Sequence, residues 1–170
     1  GIISIITAEE IKNMGARDLA DILKMVPGFE IVQDLQFVTG LGLRGNWSNE
    51  GKILVMVDGQ EYNELMYQTV AVFNRFPVDM ISKIEIIRGP GSALYGGTAE
   101  YGVINIITKN ADGLNGAAAY VNAGFHAETA GRRNVGVMAG QTKEDLHWDV
   151  AFFKGRGLVS DQDFVDFYSG

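Results

Sequence analysis

The sequence predicts an α+β fold dominated by short strands, and three observations carry that expectation. Glycine supplies 22 of the 170 residues against 3 prolines, without the strict repeat of collagen, a composition suited to tight turns and close backbone approaches in sheet architectures. Helical apolar spacing is confined to a short stretch ending near Val26, and from Phe29 onward apolar residues recur with period two. The pattern then changes again near Gly113, dividing the chain into a first domain at 1–110 and a run of longer alternating segments at 111–170.

Ile2, Ile3, Ile5 and Ile6 read as an entering strand. Thr7-Ala8-Glu9-Glu10 is a capping box with Thr7 as N-cap, opening a brief helix that carries Ile11 and Met14 on one face and stops at Gly15. Leu19, Ile22, Leu23 and Val26 make the apolar stripe of a second helix, with Arg17, Asp18, Asp21 and Lys24 expected on its outside and Pro27-Gly28 at its end. Phe29, Ile31, Leu41 and Leu43 hold strand positions, followed by a turn-rich stretch from Gly45 to Gly51. Ile53–Val57 is a buried strand closed by the hairpin signal Asp58-Gly59.

Residues 61–79 read as a loop with a short helix. A strand around Ile84, Ile86 and Ile87 breaks at Arg88-Gly89-Pro90-Gly91, Ser92–Tyr95 makes one helical turn, and Val103–Thr108 is the last strand before the linker Lys109–Gly113. The expected core is Leu19, Ile22, Leu23, Val55, Val57, Ile84, Ile86, Val103, Ile104 and Ile106.

Beyond Gly113, Ala117, Ala119, Val121, Ala123 and Phe125 alternate with small or polar residues, as do Val135, Val137 and Ala139, and again Leu146, Trp148, Val150 and Phe152. Segments of about ten residues with this dyad period suit transmembrane β-strands, and on periodicity alone a soluble meander suits them equally.

A net charge of −7 argues against nucleic acid as a partner, and the absence of cysteine removes disulfides, thiolate metal sites and cysteine nucleophiles. No apolar run approaches the roughly 18 residues of a spanning helix. Gly40-Leu41-Gly42-Leu43-Arg44-Gly45 has a dinucleotide-binding outline but no helix to open after it. Gly91–Thr98 has a phosphate-loop outline without the lysine. Asp161, Asp163 and Asp166 lack the glycine and closing glutamate of a calcium loop, and His126 and His147 lack metal-ligand spacing. No cofactor site and no catalytic constellation is expected. The missing initiator methionine and signal region lead to the expectation that the natural N-terminus lies upstream.

Ile84-Glu85-Ile86-Ile87-Arg88-Gly89-Pro90-Gly91-Ser92-Ala93-Leu94-Tyr95-Gly96, followed by Gly102–Lys109, closely resembles the plug domain of TonB-dependent outer-membrane receptors. Ala16–Gly28, Leu43-Arg44-Gly45 and Val55–Gly59 extend the resemblance in order and spacing, so that it covers Ile6 to Lys109. It implies a small mixed sheet with short helices, followed by the first antiparallel strands of a β-barrel. Plugged outer-membrane transporters have about 22 strands, for which the 60 residues at 111–170 leave no room, so a part of a larger receptor is expected.

The resemblance further implies the outer membrane of a Gram-negative cell, a plug that fills the lumen, coupling to TonB through a segment upstream of the plug, and a bulky ligand such as a metal chelate or cobalamin. Ligand contacts are expected from the outward apices, at Arg44, Asn46, Trp47, Tyr62, Asn63 and Tyr67, and Arg88 matches an arginine that pairs with barrel-wall carboxylates. A soluble periplasmic binding or signalling module reusing the plug fold is the other reading. The face bearing Val121, Phe125, Trp148 and Phe152 separates the two, because a barrel leaves it exposed and a soluble module must cover it. Unpaired strand edges in such a piece lead to expected self-association or domain swapping.

Overall fold

The computed structural model describes residues 2–33, 39–48, 51–66, 68–70, 72–127 and 129–158. Strand β1 (Ile2–Thr7) runs into α1 (Ala8–Met14), whose start is the capping box read from the sequence: Thr7 Oγ1 accepts the Glu10 N–H at 3.3 Å and Glu10 Oε2 accepts the Thr7 N–H at 2.7 Å. Gly15 closes the helix with φ +64°, a left-handed position that glycine adopts without strain. The second helix, α2 (Leu19–Lys24), buries Leu19, Ile22 and Leu23 completely.

The following strands are β2 (Phe29–Gln33), β3 (Thr39–Leu43), β4 (Asn46–Ser48), β5 (Ile53–Val57), β6 (Gln60–Glu61), β7 (Ile81–Arg88) and β8 (Gly102–Thr108). One helical turn, α3 (Ser92–Tyr95), lies between β7 and β8. The main sheet has the order β1-β7-β8-β5-β6, with β5 and β8 parallel and every other pair antiparallel, and β2-β3-β4 form a small separate sheet. This is the mixed sheet with short helices that the sequence led us to expect.

Alternation divides the core. Val55, Ile84, Ile86, Ile104 and Ile106 belong to the cluster that includes α2, whereas Leu54 and Val103 pack with Ala99 in a second, smaller cluster. Nine of the ten expected core residues are buried, and Val57, at the hairpin end of β5, is half-buried.

The β3–β4 and β5–β6 turns each use two consecutive left-handed residues, Arg44 (φ +54°) with Gly45 (φ +77°) and Asp58 (φ +49°) with Gly59 (φ +79°), the pairing that matches strand twist. The first turn is complete after two residues. Asn46–Ser48, read from the sequence as turn, is therefore free to pair with β3 as a strand. The Asp58 carboxylate accepts from Thr108 N–H at 2.8 Å and Thr108 Oγ1 at 2.7 Å, tying the end of β8 to the β5–β6 turn.

The expected linker at Lys109–Gly113 holds a capped helical turn, α4 (Ala111–Leu114), with Asn110 Oδ1 accepting the Gly113 N–H at 3.0 Å. Three long antiparallel strands follow, β9 (Gly116–Phe125), β10 (Ala130–Lys143) and β11 (Leu146–Gly157), in the order β11-β10-β9. Asn134, Gly136, Met138 and Gly140 of β10 are buried toward the first domain while the residues between them face away. The outward face is exposed, with Val121 at 77% and Phe125 at 80% of full accessibility.

Candidate functional site

Two loop regions carry the residues expected to meet a ligand. In the β3–β4 hairpin, Arg44 and Asn46 are exposed, and the Arg44 N–H donates to Gly28 O at 2.7 Å, fixing the turn. Trp47 lies opposite Gly42 in the ladder. The Trp47 side chain, all of Tyr67 and the acidic run at Asp161, Asp163 and Asp166 lie outside the described residues.

In the second region Tyr62 is half-buried, with its ring edge-on to Phe76 at a centroid distance of 6.0 Å. Burial raises the Tyr62 hydroxyl pKa above its ordinary value, opposed by the charge of Arg75. Asn63 turns inward and is buried. Its Oδ1 accepts the Val55 N–H at 2.7 Å, and Nδ2 donates to Ile53 O at 3.0 Å and Gln68 O at 2.7 Å. The amide thus braces the loop from below and does not present itself to solvent. Gly51 sits against the Gln68 side chain and Thr98, where an added Cβ would collide, so the β4–β5 connection and the 62–69 loop meet at that glycine.

The guanidinium of Arg88 donates from Nη1 to Pro27 O at 2.9 Å and from Nη2 to Ser4 Oγ at 2.7 Å, while its buried Nε has no partner among the described residues. These bonds lie within the first domain.

The contacts between that domain and strands β9–β11 come from residues to which the sequence reading gave no contact role. Asp18, expected on the outside of α2, is only 3% exposed. Its Oδ1 caps the helix by accepting the Asp21 N–H at 3.1 Å, and its Oδ2 accepts Arg132 Nη2 at 2.6 Å. Arg132 Nη1 also donates to Arg17 O at 2.6 Å. Asn74 and Asn134 exchange amide bonds at 2.8 and 2.6 Å, and Asn122 Nδ2 donates to Asp79 Oδ2 at 2.8 Å. At the base, Thr142 Oγ1 donates to Asp112 Oδ1, holding that carboxyl below its usual range, with His147 Nδ1 3.4 Å away.

Glycine makes these approaches possible at two places. An added Cβ on Gly140 would lie 3.0 Å from Ala111 Cα, and one on Gly157 would lie 3.2 Å from Asn74 Nδ2. The available signals were the N-cap position of Asp18 and the period-two phase that puts Arg132 and Asn134 on the same face as Gly136.

A mixed-sheet domain held by polar bonds to one face of a three-stranded antiparallel sheet, with apolar residues exposed on the other face, defines a class: a plug domain followed by antiparallel strands. The chain matches the family described as TonB-dependent Receptor Plug Domain over residues 1–103, and it belongs to that family. It is 37% identical over 127 residues to the vitamin B12 transporter BtuB of Vibrio vulnificus, an alignment covering 74% of this chain and 20% of that protein. Among solved structures, the siderophore receptor PirA of Acinetobacter baumannii matches at a TM-score of 0.70 and 25% identity. A variant of the ferric enterobactin receptor of Pseudomonas aeruginosa, in complex with enterobactin, matches at 0.67 and 26%. Each of these two matches covers 90% of this chain and 24% of the other. The chain therefore spans about a fifth to a quarter of the length of these relatives.

Proposed function

We propose that residues 1–110 are the plug, and 111–170 the first wall strands, of a Gram-negative outer-membrane receptor whose plug occludes the lumen, faces the periplasm and gates TonB-coupled uptake of a bulky, scarce ligand of the cobalamin or ferric-siderophore kind. The observation that carries this reading is the two-faced wall: its inner side bonds to the plug through Arg132, Asn134 and Asn122, and its outer side leaves Val121, Phe125, Val150 and Phe152 exposed. A soluble module would cover such a face.

Arg44, Asn46, Trp47 and Tyr67 would touch the ligand, with Tyr62 and Asn63 setting the loop that presents it. Arg88 would pair with carboxylates of the remaining wall. TonB would engage a segment upstream of β1. The role is binding and gating, with no catalytic step and no resident cofactor. Residues 1–170 alone would self-associate through the open edges of β9 and β11.

The test is expression of the full-length protein and assay for a heat-modifiable outer-membrane band, then binding of cobalamin and of ferric siderophores. A heat-modifiable band with saturable binding of one of them is expected, and a soluble product refutes the reading.

A further inference from the structure

The outer face of the wall is chemically asymmetric along its length. Arg133 on β10 stands directly opposite Arg156 on β11, and Lys154, the next outward residue of β11, stands opposite Val135. All three are exposed, and none has an ion-pair or hydrogen-bond partner among the described residues. Like charges directly opposed across an antiparallel pair repel each other. An anion seated between them removes that penalty.

The rows that follow on the same face are apolar: Val135, Val137 and Ala139 on β10, flanked by Val121 on β9 and by Phe152 and Val150 on β11. Beyond Ala139 the face turns polar on β10 at Gln141, opposite Trp148, and reaches its next cation at Lys143, ten residues from Arg133 along the strand. At about 3.4 Å per residue that separation is on the order of 34 Å along the strand. A strand tilt of about 40° reduces it to about 26 Å of height, close to the ~25 Å apolar band of transmembrane barrels. The two cationic ends therefore bracket one hydrocarbon thickness, and the end with three cations falls at headgroup depth.

We propose that Arg133, Lys154 and Arg156 form a lipid-facing site for a phosphate-bearing lipid headgroup, a proposal that rests on the membrane reading above. Two guanidinium forks grip phosphate oxygens in pairs, the ammonium of Lys154 adds a point charge, and the acyl chains lie along Val135, Val137 and Phe152.

The test uses the full-length protein in detergent, first checked for heat modifiability, then titrated with dioleoyl phosphatidic acid in mixed micelles and read by native mass spectrometry. Wild type is expected to retain phosphatidic acid in preference to phosphatidylcholine. The triple variant Arg133→Gln, Lys154→Gln, Arg156→Gln is expected to retain it about tenfold more weakly. Arg156→Gln alone gives an intermediate loss, and Lys143→Gln at the opposite end behaves as wild type.

Equal retention by the triple variant, equal retention of phosphatidylcholine, or full displacement by an equal concentration of inorganic phosphate overturns the headgroup site while leaving the membrane reading intact. A protein without a heat-modifiable form overturns both.

Discussion

Asp18 faces two ways at once, with one carboxylate oxygen on the Asp21 N–H that begins α2 and the other on Arg132 of the wall at 2.6 Å. The second helix of the plug and the second wall strand thus share one buried carboxylate.

Arg132→Ala leaves that charge buried without its partner, a change that typically costs about 3–5 kcal/mol. The expected outcome in the full-length protein is faster amide hydrogen exchange across α2 with the β7–β8 ladder unaffected. Asp18→Asn keeps the cap and should lose less. Unchanged exchange in α2 after Arg132→Ala would show that the pair does not hold the helix.

Asn63→Leu removes three hydrogen bonds and strands the Val55 N–H and Ile53 carbonyl beneath the loop. Each buried orphan costs about 1–3 kcal/mol. Limited proteolysis should find a new cleavage site within 62–69, and ligand affinity should fall although the side chain itself faces inward. A loop as resistant as wild type would refute the bracing role.

Gly51→Val drives a side chain into Gln68 and Thr98. We expect it to part the two loop regions, weaken ligand binding and lower thermal stability, because the Cβ of Gln68 moves only with its backbone. Gly59→Ala, at a left-handed turn with nothing within 4 Å, should cost stability of about 1 kcal/mol and leave binding alone. Equal loss of binding in both variants would contradict the distinction.

Several carboxyls sit below their ordinary pKa: Glu10 through the Thr7 backbone bond, Asp21 through Arg17, and Glu85 through Lys83. A depressed folded-state pKa means stability present above the unfolded values of 4.5 for Glu and 3.8 for Asp, and lost as pH falls through the lower folded values. The N-terminal helices should accordingly loosen only in acid below about pH 4. An NMR titration of Glu10 and Asp21 checks this, and midpoints at or above the ordinary values would contradict it.

What could be read from the sequence was local. The capping box at Thr7, the stop at Gly15 and the Asp58-Gly59 turn each depend on residues within a few positions of one another, and all three stand in the structure. The strand Asn46–Ser48 was not legible because a three-residue strand has too short a period to register, and its pairing follows from how tightly Arg44-Gly45 turns. Asp18 was misplaced for a different reason. A polar residue beside an apolar stripe reads as surface, and only the wall strand more than a hundred residues later supplies the arginine that makes its burial tolerable. Asn63 likewise reads as a loop amide until the backbone beneath it is in view.

The seam between plug and wall is made chiefly of amide, guanidinium and carboxylate contacts, at Asn74, Asn122, Arg132 and Asp18. The exposed Asn122–Asp79 bond can be exchanged for water at about 0.5–1.5 kcal/mol, the buried Asp18–Arg132 pair resists longer, and the isoleucine core of the main sheet has no such substitute. A load on the plug would therefore be expected to part this seam contact by contact, the Asp18–Arg132 pair last, before it disturbs the sheet.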